Sequence, residues 1–158
     1  IGVAGTVRVG YEMGKNRVRE ARYAGRVAIA LGAVYMLISA VVVYAARFPL
    51  ARIYTQDTEV LPFAAAFLAI AAAFQFFDGI QAVAVGALRG IQDTKWPAIL
   101  AFVAYWIVGL PIGYFLAFHR GMQGEGIWWG LFIGLTLVAI FLTVRFEKKL
   151  QQQISANS

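Results

Sequence analysis

The sequence contains no cysteine and a single histidine, His119. Without cysteine there is no disulfide framework and no thiolate metal site, and one histidine does not build a His-rich zinc site. Charge is scarce as well, because charged residues make up 14% of the chain, against about 25% in soluble domains. So few charges do not cover the surface of a soluble domain, and an ordinary soluble enzyme is therefore excluded.

The sequence is rich in long apolar segments, and hydrophobic residues make up 61% of the chain. Residues 27–46, 96–118 and 126–144 carry no charge, and 60–88 is interrupted only by Asp78. A bilayer core of about 30 Å needs about 20 helical residues, whereas transmembrane strands are short and alternate in polarity. The runs predict an all-α, polytopic membrane protein with four full transmembrane helices, at about 27–47, 60–88, 96–118 and 126–145.

The remaining residues divide the chain into three parts. Residues 1–26 are predicted to be the end of a preceding helix and a basic loop, 27–147 the four-helix transmembrane region, and 148–158 a polar tail. Because the chain starts at Ile1 within an apolar helix, we expect a piece of a longer protein. Pro111 lies inside the third span and is predicted to kink it.

Lysine and arginine are distributed unequally between the two ends of the spans. Three of the 14 lie on one side, and the other side, called the basic side below, carries Arg8, Lys15, Arg17, Arg19, Arg22, Arg26, Arg89, Lys95, Arg145, Lys148 and Lys149. The positive-inside rule predicts that the basic side, with the C-terminus, is cytoplasmic. Since these charges are split among membrane-flanking segments, no nucleic-acid partner is expected.

Glycines recur at four-residue spacing in the last two spans, at positions 109 and 113 and at 126, 130 and 134. Small residues at this spacing allow helix backbones to approach closely. We interpret them as contacts between helices of the same chain.

Asp78 is the one acidic residue inside a predicted span. A central aspartate costs about 2.5–3.5 kcal/mol on an insertion scale and usually marks an ion or substrate path. Gln75 and Gln81 lie three residues before and after it and share its helix face, and Phe74 lies beside them. Asp78 is thus the candidate cation-coupling residue, with Phe74, Gln75 and Gln81 as candidate cavity lining.

The chemistry of an intramembrane carboxyl leaves two functional uses open. It binds and releases a proton, or it holds a sodium ion together with further oxygen ligands, and no other cofactor is expected. The alternative is an aspartate that hydrogen-bonds between helices for the fold alone. Four tyrosines within the spans are weaker candidates for lining a path: Tyr35, Tyr44, Tyr105 and Tyr114. No phosphate-binding loop, carboxylate pair or Ser/His/Asp set is present, so the chain is not predicted to be an enzyme.

Two segments resemble multidrug and toxic compound extrusion (MATE) transporters. TVRVGYEMGKNRVREARYAGR, at 6–26, is similar to the cytoplasmic segment after the second helix of each lobe in that family. Residues 76–118 resemble its tenth and eleventh helices, with D-x-x-Q, L-R-G and G-L-P-x-G, and 124–130 resemble the start of the twelfth.

The resemblance implies the C-terminal lobe of a twelve-helix antiporter in a bacterial inner membrane, with the remaining N-terminal helices as partners. Such transporters export drugs, often organic cations, against sodium or protons. Asp78 then matches the acidic residue of the tenth helix in the NorM-type branch, which is implicated in cation coupling. Two alternatives stay open: a lipid-linked oligosaccharide flippase of the same superfamily, and a membrane subunit without transport.

Overall fold

The computed structural model describes residues 1–156, which form helices and turns and no strand. The helices are α1 (Gly2–Gly14), α2 (Val18–Ala45), α3 (Arg47–Tyr54), α4 (Val60–Gly90), α5 (Lys95–His119) and α6 (Gln123–Ala156). Helices α2, α4, α5 and α6 are long and apolar enough to cross a membrane. The predicted all-α fold with four transmembrane helices is therefore confirmed. Asn157 and Ser158, at the end of the predicted tail, lie outside the described residues.

The membrane helices are longer than a bilayer is thick. Helix α6 has 34 residues and α4 has 31, which correspond to about 50 Å and about 46 Å, against a hydrocarbon core of about 30 Å. Helix α2 likewise begins at Val18, so the predicted basic loop shrinks to a short turn and residues 18–26 are helical. Alanine and arginine favour helix in this stretch, and Arg22 and Arg26 form ion pairs with Glu147 of α6.

Helices α1 and α4 end in the same backbone motif on the basic side. After α4, Gln92 adopts φ 58°, its N–H donates to the carbonyl of Arg89, and the N–H of Asp93 donates to that of Leu88. After α1, Asn16 with φ 57° and Arg17 repeat the pattern. These paired bonds are a Schellman motif, which satisfies the last carbonyls of a helix. After this turn the chain runs back towards the other helices, so that Asp93 lies next to α6.

Helix α5 departs from α-helical geometry on both sides of Pro111. Its segments Val103–Gly109 and Phe115–His119 are π-helical, with Leu110–Tyr114 between them α-helical. Proline removes one backbone donor and clashes with the preceding turn, and a wider turn is one way for a helix to absorb that defect. The kink predicted at Pro111 stays a prediction, and the structure adds π-helical segments on both sides of this residue.

Glycines bring the helix backbones together. A Cβ at Gly134 of α6 would lie 2.7 Å from the carbonyl oxygen of Ala104 in α5, and one at Gly130 would overlap the backbone of Gly113. Helix α4 meets α1 in the same way, since a Cβ at Gly86 would lie 2.7 Å from the carbonyl oxygen of Gly2. The prediction that the glycine repeats of the last two spans join helices of one chain is confirmed.

The apolar core lies in the basic-side half of the bundle, where α1, α2, α4 and α6 meet. Phe146, Leu142 and Leu150 of α6 and Leu88 of α4 are fully buried there. Further from this core the membrane helices expose large apolar side chains, among them Leu31, Val34, Ile38, Val41 and Val42 of α2. Apolar surface of this extent is typical of lipid contact.

Two clusters of ion pairs fasten α6 to its neighbours on the basic side. Glu147 accepts hydrogen bonds from Arg22 and Arg26 of α2, with N–O distances of 2.8 and 2.6 Å. Asp93, whose side chain is 4% exposed, accepts from Arg145 at 2.8 Å and Lys149 at 3.1 Å. Burial acts to raise the pKa of Asp93, but the hydrogen bonds and charges of Arg145 and Lys149 outweigh it and hold the pKa below its ordinary value.

We expect Gly130→Ala to lower the free energy of unfolding by about 1–3 kcal/mol, because the new methyl group meets backbone rather than a movable side chain. Thermal unfolding of the purified protein in detergent measures the loss. Gly14→Ala is the matched control, because no atom lies within 4 Å of a Cβ placed there. Equal unfolding temperatures for the two variants would contradict the close packing of α5 and α6.

We expect Asp93→Asn to cost about 1–2 kcal/mol near neutral pH, through the loss of charge-assisted hydrogen bonds to partly exposed cations. Because the pKa of Asp93 is lower in the folded protein, this stability is fully present above the unfolded pKa of about 3.9. It is lost as the pH falls through the folded pKa. Thermal melts of both proteins from about pH 3 to about pH 8 check this. A stability gap that does not change with pH would contradict it.

Candidate functional site

The three polar residues predicted to form a stripe lie on one face of α4. Gln75, Asp78 and Gln81 follow one another at three-residue intervals within this continuous helix, which places them on neighbouring turns. Gln75 and Gln81 are half-buried and Asp78 is exposed. The described part of the chain therefore covers this face only in part.

Helix α5 borders the stripe through Tyr105. The Tyr105 hydroxyl donates a hydrogen bond to Oε1 of Gln81 at 3.0 Å. Tyr105 belongs to the first π-helical segment of α5, and π-helical turns frequently occur at functional sites. Of the four tyrosines considered as weaker candidates, Tyr105 is the one that meets the polar stripe.

The carboxylate of Asp78 has no hydrogen bond or ion pair with residues 1–156. It is thus accessible to a proton or a cation from outside the described chain. Within the same range no group of three or more His, Cys, Asp or Glu side chains converges. A sodium ion at Asp78 would draw its further oxygen ligands from neutral groups such as the Gln75 amide or from water, since hard cations prefer oxygen.

Phe74 lies one turn from Asp78 and turns towards α6. Its ring meets Trp128 at 5.9 Å between centroids and Phe132 at 6.1 Å, and Phe77 also contacts Phe132, at 5.4 Å. These edge and tilted contacts form an aromatic wall between α4 and α6. Trp128 lies at the start of a span, where a tryptophan is expected at the membrane interface. Because that role already explains its position, the sequence does not indicate its contact with Phe74.

A hollow of about 590 Å³ lies between α2 and α4, on the far side of α4 from Asp78. Phe76, Phe77 and Trp129 line part of it, and none of its lining residues is charged. Tyr44, one of the four tyrosines considered above, supplies a hydroxyl to the lining, which includes no carboxylate. The intramembrane carboxylate thus lies on the polar stripe and not in this hollow.

Residues 1–115 match the family model MatE, which covers more than half of the chain. The chain belongs to the MatE family. The resemblance to MATE transporters is thereby confirmed, and the NorM relatives described next confirm the NorM-type branch. Members of the family are transporters rather than enzymes, and the chain is a multi-pass membrane protein in contact with lipid.

Curated relatives match the chain along nearly its whole length. Multidrug resistance protein NorM of Burkholderia vietnamiensis is 42% identical over 161 residues, covering 99% of this chain and 35% of the relative. Multidrug resistance protein PmpM of Pseudomonas aeruginosa is 39% identical, covering 98% of this chain and 33% of the relative. The chain thus spans about a third of the length of the curated relatives it matches.

Solved structures share the fold. The eukaryotic MATE transporter AtDTX14 superposes with a TM-score of 0.84 at 25% identity, over 96% of this chain and 35% of that one. The inward-facing conformation of a multidrug resistance MATE family transporter of the MOP superfamily gives 0.88 at 16% identity, over 99% of this chain and 36% of that one. The helix arrangement described above is therefore a MATE arrangement.

We expect Asp78→Asn to leave the free energy of unfolding unchanged within about 0.5 kcal/mol, because an exposed side chain without partners contributes little. Thermal unfolding in detergent measures it. Gly79→Leu serves as the contrasting neighbour, since a Cβ at Gly79 already lies 2.9 Å from Cβ of Met36 in α2. A large loss for Asp78→Asn would favour a purely structural aspartate.

Proposed function

We propose that the chain forms part of a multidrug exporter in which Asp78 binds the coupling cation, sodium or a proton, that drives organic cations out of the cell. The observation that carries the proposal is the open carboxylate of Asp78, on a polar stripe of a membrane helix, without a partner in residues 1–156. A carboxylate in this setting attracts a small cation, and loading it changes the local charge by one. The relatives named as multidrug resistance proteins support drugs as the substrate class.

Each residue predicted from the sequence has a role in the proposed transport. Asp78 takes the cation, Gln75 supplies a neutral oxygen, and Gln81 is held by Tyr105 at 3.0 Å. Phe74 belongs to the aromatic wall, which suits the flat or apolar part of an organic cation through cation–π contact. The exporter lies in a bacterial inner membrane with its basic side, and hence its C-terminus, in the cytoplasm.

The two alternatives from the sequence are less well supported. A flippase for lipid-linked oligosaccharides would be expected to present basic residues to a pyrophosphate, and the four charge-free runs contain neither lysine nor arginine. A subunit that uses Asp78 only to join helices would be expected to give its carboxylate a partner on a neighbouring helix. Asp78 has none within the described residues.

Transport by the protein at its natural length tests the proposal. We expect Asp78→Asn to reduce drug efflux from loaded vesicles to background, because a neutral amide binds neither sodium nor a proton as a carboxylate does. Efflux is measured under an imposed sodium gradient and, separately, an imposed pH gradient, so that the coupling ion is identified by the gradient that drives it. Asp78→Glu restores the carboxylate and is expected to recover part of the efflux.

Asp57→Asn is the matched control, since this exposed loop residue keeps an oxygen to accept the 2.8 Å hydrogen bond from the Glu59 N–H. It should transport like the unmodified protein. Full efflux by Asp78→Asn with normal membrane insertion would refute the coupling role. Translocation of a lipid-linked oligosaccharide in place of drugs would establish the flippase alternative.

A further inference from the structure

A groove of about 490 Å³ opens between α5 and α6 at the basic side of the membrane. It lies away from Asp78, and the proposed transport does not use it. Its lining residues come in a polar set, Trp96, Arg145, Lys148, Lys149 and Gln152, and an apolar set, Leu100, Phe141 and Val144.

The two sets occupy different depths along the helices. Leu100 follows Trp96 by four residues in α5. In α6, Phe141 precedes Arg145 by four residues, and Val144 precedes Lys148 by four. Four helical residues correspond to about 6 Å, so the apolar set lies about one turn deeper in the membrane. Phe141 and Val144 are 54% and 42% exposed. The groove is therefore apolar towards the bilayer interior and cationic at its surface.

The cationic end of the groove carries excess positive charge. Asp93 pairs with Arg145 at 2.8 Å and with Lys149 at 3.1 Å, so it offsets one of three cations. Lys148 has no carboxylate within ion-pair distance in the part of the chain that the structure describes. Its exposed ammonium group is thus available to an anion.

Trp96 closes the cationic end on the α5 side. The guanidinium of Arg145 stacks over its indole ring at 4.9 Å from the centroid, which holds the cation against the groove wall. Tryptophans of this kind lie at the headgroup level of a bilayer. The aligned positions of Trp96 and Arg145 therefore mark the headgroup layer.

We propose that this groove binds one anionic phospholipid from the leaflet on the basic side. The phosphodiester sits between Lys148 and the Arg145–Lys149 pair, and an acyl chain lies along Leu100, Phe141 and Val144. Basic pockets between transmembrane helices on the cytoplasmic side are suited to anionic head groups. Because three of the eight lining residues form an apolar wall beside the cations, a phospholipid fits the groove better than a free phosphate ion. The bound lipid would bridge α5 and α6.

Native mass spectrometry of the delipidated protein, at its natural length, tests the proposal. Titration uses dioleoyl phosphatidylglycerol as the anionic lipid and dioleoyl phosphatidylcholine as the zwitterionic one. We expect the first bound phosphatidylglycerol to be preferred over phosphatidylcholine. Lys148→Gln should weaken phosphatidylglycerol about fivefold, as expected for one cation near the headgroup. Phosphatidylcholine should be weakened less, because its choline cation already offsets the charge of its phosphodiester.

Lys15→Gln is the matched control, because Lys15 is an exposed lysine on the same side of the membrane and does not line the groove. It should bind both lipids like the unmodified protein. Equal weakening by Lys148→Gln and Lys15→Gln, or equal affinity for the two lipids, would overturn the site. Glycerol phosphate and inorganic phosphate, each at about 10⁻³ M, serve as competitors without acyl chains. If either displaces the bound lipid, the groove binds phosphate-type anions rather than a phospholipid, and the proposal is overturned.

Discussion

Close contact between helix backbones holds this bundle together. Moving an apolar side chain from lipid into a helix interface changes its free energy little, because both surroundings are apolar. Helices in a membrane therefore associate through packing and hydrogen bonds rather than through the hydrophobic effect. The chain meets this constraint with glycine: Gly130 of α6 lies against Gly113 of α5, and Gly86 of α4 lies against Gly2 of α1. Side chains at these positions would separate the axes. The ion pairs of Asp93 and Glu147 connect the helix ends on the basic side, which lie outside the hydrocarbon core.

The same constraint determines where the polar stripe faces. On α4, Gly79, Gly86 and Gly90 turn towards α1 and α2, and successive residues rotate by about 100° around a helix. Asp78 immediately precedes Gly79, so it lies about a quarter turn away from the packed face. Tyr105 of α5 reaches the stripe from one side. Tight packing on one face of α4 thus leaves the carboxylate on a face that the described residues do not close.

Much of this architecture follows from the sequence, because a membrane helix needs about 20 apolar residues and charge interrupts such runs visibly. Asp78 stands out for the same reason, and the Gly109–Gly113 repeat already indicates close packing. Other features depend on distant contacts that leave no local pattern. The pairing of Arg22 with Glu147 spans 125 positions, and the contact of Phe74 with Trp128 depends on how α4 and α6 cross. The π-helical segments of α5 lie beyond what Pro111 alone predicts.

An unpartnered carboxylate in a membrane helix also bears on the choice between structure and function. An aspartate at mid-membrane costs about 2.5–3.5 kcal/mol to insert, and an aspartate kept for the fold would recover that cost through a hydrogen bond to a neighbouring helix. The described residues offer Asp78 no such bond, whereas they do give Gln81, three residues away, a partner in Tyr105. The helix therefore satisfies its neutral polar group internally and leaves its charge open. That charge takes its compensation from outside residues 1–156, whether from water, from a bound cation or from the rest of the transporter, and ion coupling requires the second of these.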